Sequence, residues 1–291
     1  MKSGTILLLG ATNSGKSTLV NQIVGKRVSM VSRKKQSTTF NQKAIKNISE
    51  TEFILQDTPG IYSAKTKISN KMTNTAFSAI DEANIVLVVV DSGSTKNNEI
   101  NKIIKTLNES NNTSKIFLVL NKIDKVNWET ILVKIKDLGD MNLFQEIFPI
   151  SALIGDGVDE MLDNIKKYLP KGEKKFSNKK TLFVKKDVYY SEVTREKVYD
   201  RTHKEIPYEC KITTDKISNS KNTVTIHQTI HINKKSHKYI VVGNKGSNLK
   251  SIGESSRREI SKFLNKKVNL FLFVKLTNIN KSWDGLVKVL F

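Results

Sequence analysis

The chain has 291 residues, enough for two domains, and an ordinary hydrophobic share of 38%. Its 49 Lys and Arg against 28 Asp and Glu leave a net charge of +21, which points to a polyanionic partner such as nucleic acid or an anionic membrane face. A single cysteine, Cys210, excludes an intrachain disulfide or a thiolate metal cluster, and the longest apolar run, Ile85 to Val90, is far short of a membrane span.

The first element is the apolar run Ile6-Leu7-Leu8-Leu9, which reads as a buried strand. It leads into Gly10-Ala11-Thr12-Asn13-Ser14-Gly15-Lys16-Ser17, and an amphipathic stretch opens at Thr18. The spacing G-x-x-x-x-G-K-S between a strand and a helix is a phosphate-binding loop. Two glycines let the backbone wrap a polyphosphate, the helix N-terminus adds positive potential, Lys16 reaches the β and γ phosphates, and Ser17 offers a hydroxyl to Mg²⁺. The opening Met1-Lys2 followed by apolar residues is not read as a signal peptide, because cleavage would destroy this loop. A cytoplasmic protein is expected.

Three further motifs each follow a strand-like run. Asp57-Thr58-Pro59-Gly60 comes after Thr51 to Leu55, Asn121-Lys122-Ile123-Asp124 after Ile116 to Leu120, and Ser151-Ala152 after Ile147 to Ile150. All therefore fall at the carboxyl ends of strands, where open parallel sheets bind their ligands. A carboxylate at Asp124 can accept hydrogen bonds from N1–H and the exocyclic amine of guanine, and adenine offers no such pair of donors. A site built for those bonds rejects the wrong base strongly.

The helix-like stretch from Val158 ends at Leu169-Pro170-Lys171-Gly172, and the polar, basic segment 173–180 reads as a linker. Charge divides at the same place: residues 1–170 hold 22 Lys and Arg against 17 acids, and residues 171–291 hold 27 against 11. Excesses of 5 and 16 put the polyanion-binding potential in the second part. There the pattern predicts a helix over Glu192 to His203, strands over Tyr208 to Ile217 and Thr223 to Ile232 with a turn at Asn219 to Asn222, a short helix near Ser236 to Val242, the tight Gly243-Asn244-Lys245-Gly246, a long helix from Ser247 to Leu264 and a strand from Val268 to Leu276.

The nucleotide motifs resemble those of the TRAFAC class of GTPases, and within it the chain is most similar to the Era family. G-x-x-G between two helices is similar to a type II KH domain, and Tyr239-Ile240-Val241-Val242, Lys250-Ser251-Ile252-Gly253, Arg195-Glu196-Lys197, Glu205-Ile206-Pro207-Tyr208 and Lys281-Ser282-Trp283-Asp284 extend the likeness over nearly the whole chain. The resemblance implies a P-loop GTPase domain over 1–172, α/β with a mixed, mostly parallel sheet and helices on both faces, then a smaller α+β KH domain over 181–291. It implies a monomer that binds GTP and GDP through Gly10 to Thr18, Asp57 to Gly60, Asn121, Lys122, Asp124, Ser151 and Ala152, with Lys16, Thr38, Asp57 and Gly60 in hydrolysis. Mg²⁺ is expected at Ser17, Thr38 and Asp57. Thr38 is preferred in Gln36-Ser37-Thr38-Thr39-Phe40, and a one-residue shift selects Thr39 instead.

Two features bear on rate and docking, the first shared with the family and the second a departure from it. Ras-like enzymes carry a water-orienting glutamine where this chain has Ile61, so slow hydrolysis is expected, and related GTPases use an asparagine at the position of Asn13 to bind K⁺. Leu182 to Lys186 replaces the acidic and arginine-containing entry usual in the family. By resemblance the RNA partner is the 3′ end of 16S ribosomal RNA, contacted by Gly243, Asn244, Lys245, Gly246 and Lys250 during assembly of the 30S subunit. Two other readings stay open: a basic part that mainly anchors a GTPase at the periphery of the inner membrane, and a nucleotide-independent RNA-binding module.

Overall fold

A computed structural model describes residues 1–29, 42–60, 77–94, 98–109, 113–176, 186–202, 206 and 210–277. The chain forms two compact units, Met1–Phe183 and Val184–Phe291.

In the first unit, strands β1 (Lys2–Leu9), β2 (Gln42–Ile48), β3 (Thr51–Asp57), β4 (Ile85–Asp91), β5 (Lys115–Asn121) and β6 (Ile147–Ile150) form one sheet in the order β2-β3-β1-β4-β5-β6. All neighbours pair in parallel except β2 with β3. Central strands buried on both faces need continuous apolar runs, and β1 and β4 supply them: Ile6 to Leu9 and Ile85 to Val89 have no exposed surface. The antiparallel edge strand β2 was not visible in the sequence, because Gln-Lys-Ala-Ile-Lys-Asn-Ile mixes polar residues into a half-covered edge.

Helices α1 (Lys16–Val24), α2 (Asn98–Glu109), α3 (Trp128–Gly139) and α4 (Val158–Ile165) belong to this unit. Ile100, Ile103 and Leu107 of α2 and Ile131 and Leu138 of α3 share a core with Leu7, Val88 and Leu120 of the sheet. Helix α1 starts after Gly15, at φ 102°, and stops at Gly25, at φ 75°, whose N–H returns to the carbonyls of Asn21 and Gln22. The early part of the segment expected to be a linker is held down. The Lys175 and Phe176 amides donate to the buried Glu52 carboxylate at 2.8 and 3.0 Å, and Ser3 Oγ donates to it at 2.6 Å.

The second unit runs α5 (Lys186–Arg201), β7 (Cys210–Asn219), β8 (Thr223–Ile232), α6 (Lys235–Val242), α7 (Ser247–Leu264) and β9 (Lys267–Leu276). Its sheet order is β7-β8-β9, antiparallel between β7 and β8 and parallel between β8 and β9. Strict alternation on β8 buries Val224, Ile226, Gln228, Ile230 and Ile232 on the helix side. There Val198 of α5, Val241 of α6 and Ile252 of α7 close the core. Gln228 is tolerated inside because Thr194 Oγ1 donates to its Oε1 at 2.6 Å and its Nε2 donates to Thr214 Oγ1 at 3.1 Å. Helix α5 begins six residues earlier than the expected Glu192. Tyr189 and Tyr190 are buried, and aromatic and β-branched residues there obscure a helical period. Cys210 is buried, and burial pushes its thiol up to about 12, which makes it inert.

Candidate functional site

The loop after β1 is shaped by what it must avoid. A Cβ on Gly10 would lie 2.3 Å from the Val89 carbonyl oxygen, so the chain can pass β4 only without a side chain. Gly15 combines a left-handed φ of 102° with a hypothetical Cβ 2.0 Å from Asn121 Nδ2. Ala11, Thr12, Asn13 and Ser14 carry the loop between them, with Asn13 also left-handed at φ 65°. The Ser14 amide donates to the Ala11 carbonyl at 3.3 Å, while the buried Ser14 Oγ has no hydrogen-bond partner among the described residues. Thr18 follows in the first turn of α1.

Lys16 is almost wholly buried at the start of that helix. Its Nζ donates to the carbonyls of Gly10 at 3.0 Å and Ala11 at 2.9 Å, so the ammonium lies folded over the loop. Burial lowers its pKa to about 8, against the upward pull of Asp57. Asp57 is raised from its ordinary value by burial, with the Ser17 hydroxyl and the Lys16 charge acting the other way. Ser17 Oγ donates to Asp57 Oδ2 at 2.6 Å, and Asp57 Oδ1 is buried without a close hydrogen-bond partner among the described residues. A hydroxyl beside a carboxylate oxygen left without a partner suits a hard cation such as Mg²⁺. Thr58 Oγ1 donates to the Leu8 carbonyl at 2.6 Å, which fixes the turn before Pro59. Gly60 passes so close to Thr12 that a Cβ would meet its Cα at 2.7 Å. Thr38, Thr39 and Ile61 lie outside the described residues.

The guanine side is joined to this loop by one buried amide. Asn121 Nδ2 donates to the Ser14 carbonyl at 2.8 Å, and its Oδ1 accepts from the amides of Lys122 at 2.8 Å and Ala152 at 2.9 Å. Three motifs spread along the first unit therefore meet on a single side chain. Lys122 strengthens the junction: its Nζ donates to the Asn13 carbonyl at 2.5 Å and forms an ion pair with Asp91 Oδ2 at 2.7 Å. Ser151 Oγ donates to Asp124 Oδ1 at 2.6 Å, which fixes the orientation of the carboxylate.

Sequence reasoning missed Asp91 and Lys134. Asp91 sits directly beside Asn121 in the β4–β5 register, and its position at the carboxyl end of an apolar strand was the available signal. Lys134 Nζ donates to the carbonyls of Asp91 at 3.1 Å and Ser94 at 2.6 Å, and burial lowers its pKa.

In the second unit, Gly243 to Gly246 links α6 to α7. Gly243 is left-handed at φ 75°, and a Cβ there would come within 2.8 Å of the Asn248 amide nitrogen. Asn244 and Lys245 form the tip, with Lys245 at φ 48°, and Gly246 returns its N–H to the Gly243 carbonyl at 3.2 Å. Lys245 and Lys250 are exposed. Beside the loop runs a groove of about 380 Å³ between α7 and β9, whose walls include Leu249, Lys250, Leu270 and Leu272. A glycine turn with a lysine at its tip beside an apolar groove is the arrangement that clamps a sugar-phosphate strand while bases lie against the groove.

Fold and site together define a P-loop guanine-nucleotide-binding protein with an appended KH unit. Residues 5–122 match the model of the family described as 50S ribosome-binding GTPase, and residues 205–280 match the KH domain. GTPase Era of Syntrophus aciditrophicus is 38% identical over 97% of this chain and 91% of its own length, and that of Geobacter metallireducens is 36% identical over 97% and 94%. A crystal structure of Era in complex with MgGDPNP and nucleotides 1506–1542 of 16S ribosomal RNA is 30% identical, with a TM-score of 0.92 over 99% of this chain and 98% of that one. A single-substitution variant of Aquifex aeolicus Era bound to GDP and aluminium tetrafluoride gives the same TM-score, identity and coverage. The chain belongs to the Era family of GTPases.

Proposed function

We propose that this chain is a slow GTP-hydrolysing switch that binds the 3′-end region of 16S ribosomal RNA through its KH unit and acts in assembly of the 30S subunit. The observation that carries the reading is the Asn121 junction, which makes base recognition and phosphate binding one structure in a chain that also bears the Gly243–Gly246 clamp. On this reading residues 1–172 hold the nucleotide, 173–180 connect, and 181–291 hold RNA. The relatives bound to MgGDPNP with 16S nucleotides, and to GDP with aluminium fluoride, support both halves.

Hydrolysis here rests on positioning and charge. Lys16 swings from its own loop carbonyls to the β and γ phosphates, exchanging two backbone acceptors for charged ones. Ser17 and Asp57 would hold Mg²⁺, with Thr38 the proposed further ligand, and the ion neutralises phosphate charge when bound. Asp124, oriented by Ser151, accepts from the guanine edge. Gly60, bare of a side chain against Thr12, lets its backbone come close to the γ-phosphate end of the site. With isoleucine at position 61 no side chain there orients water, which supports a slow rate. Asn13 would contribute to a K⁺ site beside the phosphates, and equal rates in Na⁺ and K⁺ would sink that role.

The RNA reading is preferred to a membrane anchor because a G-x-x-G turn beside a groove is a strand clamp, whereas charge alone serves either surface. Among the described residues no helix is long and apolar enough to cross a membrane. Crosslinking the GTP-bound protein to total RNA, followed by sequencing, should recover the 3′ end of 16S RNA. Reads scattered over unrelated transcripts, or Lys245→Ala abolishing binding to acidic vesicles while sparing RNA, would overturn it.

A further inference from the structure

Strand β9 has two distinct faces. Its residues Leu270 and Leu272 line the groove beside α7, and the alternate residues Phe271 and Phe273 point to the opposite side of the sheet, where they are 49% and 55% exposed. His227 of β8 stands opposite Phe271 in register, with ring centroids 4.9 Å apart and planes within 16°; Phe273 lies 6.3 Å away at 9°. Three near-parallel rings thus form a stepped aromatic platform on a sheet face that no described helix covers.

The rest of that face sets the sign of its partner. Register and alternation place Lys211 and Lys216 of β7 and Lys267 and Lys275 of β9 on the same side as the rings. Asp215 is the acidic residue on this face among the described residues, and it is occupied by the hydroxyls of Thr213 at 2.7 Å and Thr229 at 2.6 Å. Exposed planar rings ringed by lysines suit unstacked bases joined by phosphates, because rings stack on any base face and lysines follow the backbone.

We propose that the outer face of the β7-β8-β9 sheet is a second single-stranded RNA site, in which bases stack on Phe271, Phe273 and His227 after the strand crosses the outermost described strand, β9, from the groove. The inference rests on the RNA-binding reading above and extends it from a four-nucleotide clamp to a strand held on both sides of β9.

The test uses the full chain with fluorescently labelled single-stranded RNA: a tetranucleotide that fills only the groove, and a uridine homopolymer long enough to continue past it. Phe271→Ala/Phe273→Ala should weaken the homopolymer by about tenfold or more, leave the tetranucleotide unchanged, and act equally at low and high salt, since stacking carries no counterion release. Phe271→Tyr/Phe273→Tyr should restore homopolymer affinity. Lys245→Ala should weaken both probes, which separates the two sites. If the parent chain bound neither RNA, the RNA reading itself would fall. If the parent bound and responded to Lys245→Ala but not to loss of the two phenylalanines, only the platform would be overturned. The platform would equally be overturned if the double alanine variant changed the sedimentation of the protein or its thermal unfolding without changing the homopolymer preference, because the rings would then serve a second copy or the fold.

Discussion

The two units present their candidate phosphate-binding groups by opposite means. In the first, the polar groups are already joined to one another, with buried Asn121 tied to Ser14 and Ala152, and around it Lys122 to Asn13 and Asp91 and Ser17 to Asp57. In the second, the glycine turn, Lys245, Lys250 and the phenylalanines of β9 stand open to water. A small ligand that must be told from its near neighbours calls for a site whose donors cannot relax, since selectivity comes from groups left unpaired by the wrong ligand. A polymer is held by many contacts, each weak and each able to be lost.

The largest effect should come from breaking selectivity itself. Asp124→Asn exchanges a double acceptor for an acceptor and a donor, which fits xanthine better than guanine. GTP affinity should fall by about a thousandfold or more and XTP affinity rise, as measured by calorimetry with each nucleotide. Unchanged preference for GTP would remove Asp124 from base recognition. Next in size is Asn121→Ala, which leaves the Ser14 carbonyl and two amides without their partner in a buried place. A stability loss of about 3 kcal/mol is expected in denaturant unfolding of the first unit, together with loss of nucleotide binding.

The third effect is a pH dependence. Nucleotide-free Lys16 has a pKa of about 8, and bound phosphates would hold the proton on, so binding takes up a proton above that pH. GDP affinity should therefore fall by about tenfold between pH 7 and pH 9, with proton uptake visible by calorimetry in buffers of different ionisation enthalpy. Proton release at pH 8 would contradict the sign. The smallest effect belongs to the open unit: Lys245→Ala should reduce RNA affinity by a few-fold, lower the salt slope by about one, and leave GTP turnover alone. A large loss at one lysine would make the KH unit resemble the nucleotide site after all.

The contrast also governs what could be read from sequence. The glycines, Lys16, Ser17, Asp57, Asn121, Asp124 and the Gly243–Gly246 turn were legible because local spacing fixes their backbone and because each sits at an element boundary. The β8 strand and helix α7 were legible through clean periodicity. What stayed hidden depends on partners far apart in the chain. Asp91 acquires meaning only when β4 and β5 lie side by side, and Glu52 becomes an anchor only when residues 175 and 176 return to it. The polar edge strand β2 and the early start of α5 were obscured for a different reason: in both, the residues' local preferences conflict with the structure that packing selects.

Gly15 carries one more consequence. The second glycine of a phosphate loop is ordinarily explained by the ligand that must approach it, but here the space a methyl group would fill is already taken by Asn121 Nδ2. Occupied volume within the protein itself forbids a side chain at this position. The loop's shape is thus specified by a residue from elsewhere along the sheet's ligand edge, and any exchange of the base-recognition segment for another would have to respect a gap of atomic size at position 15.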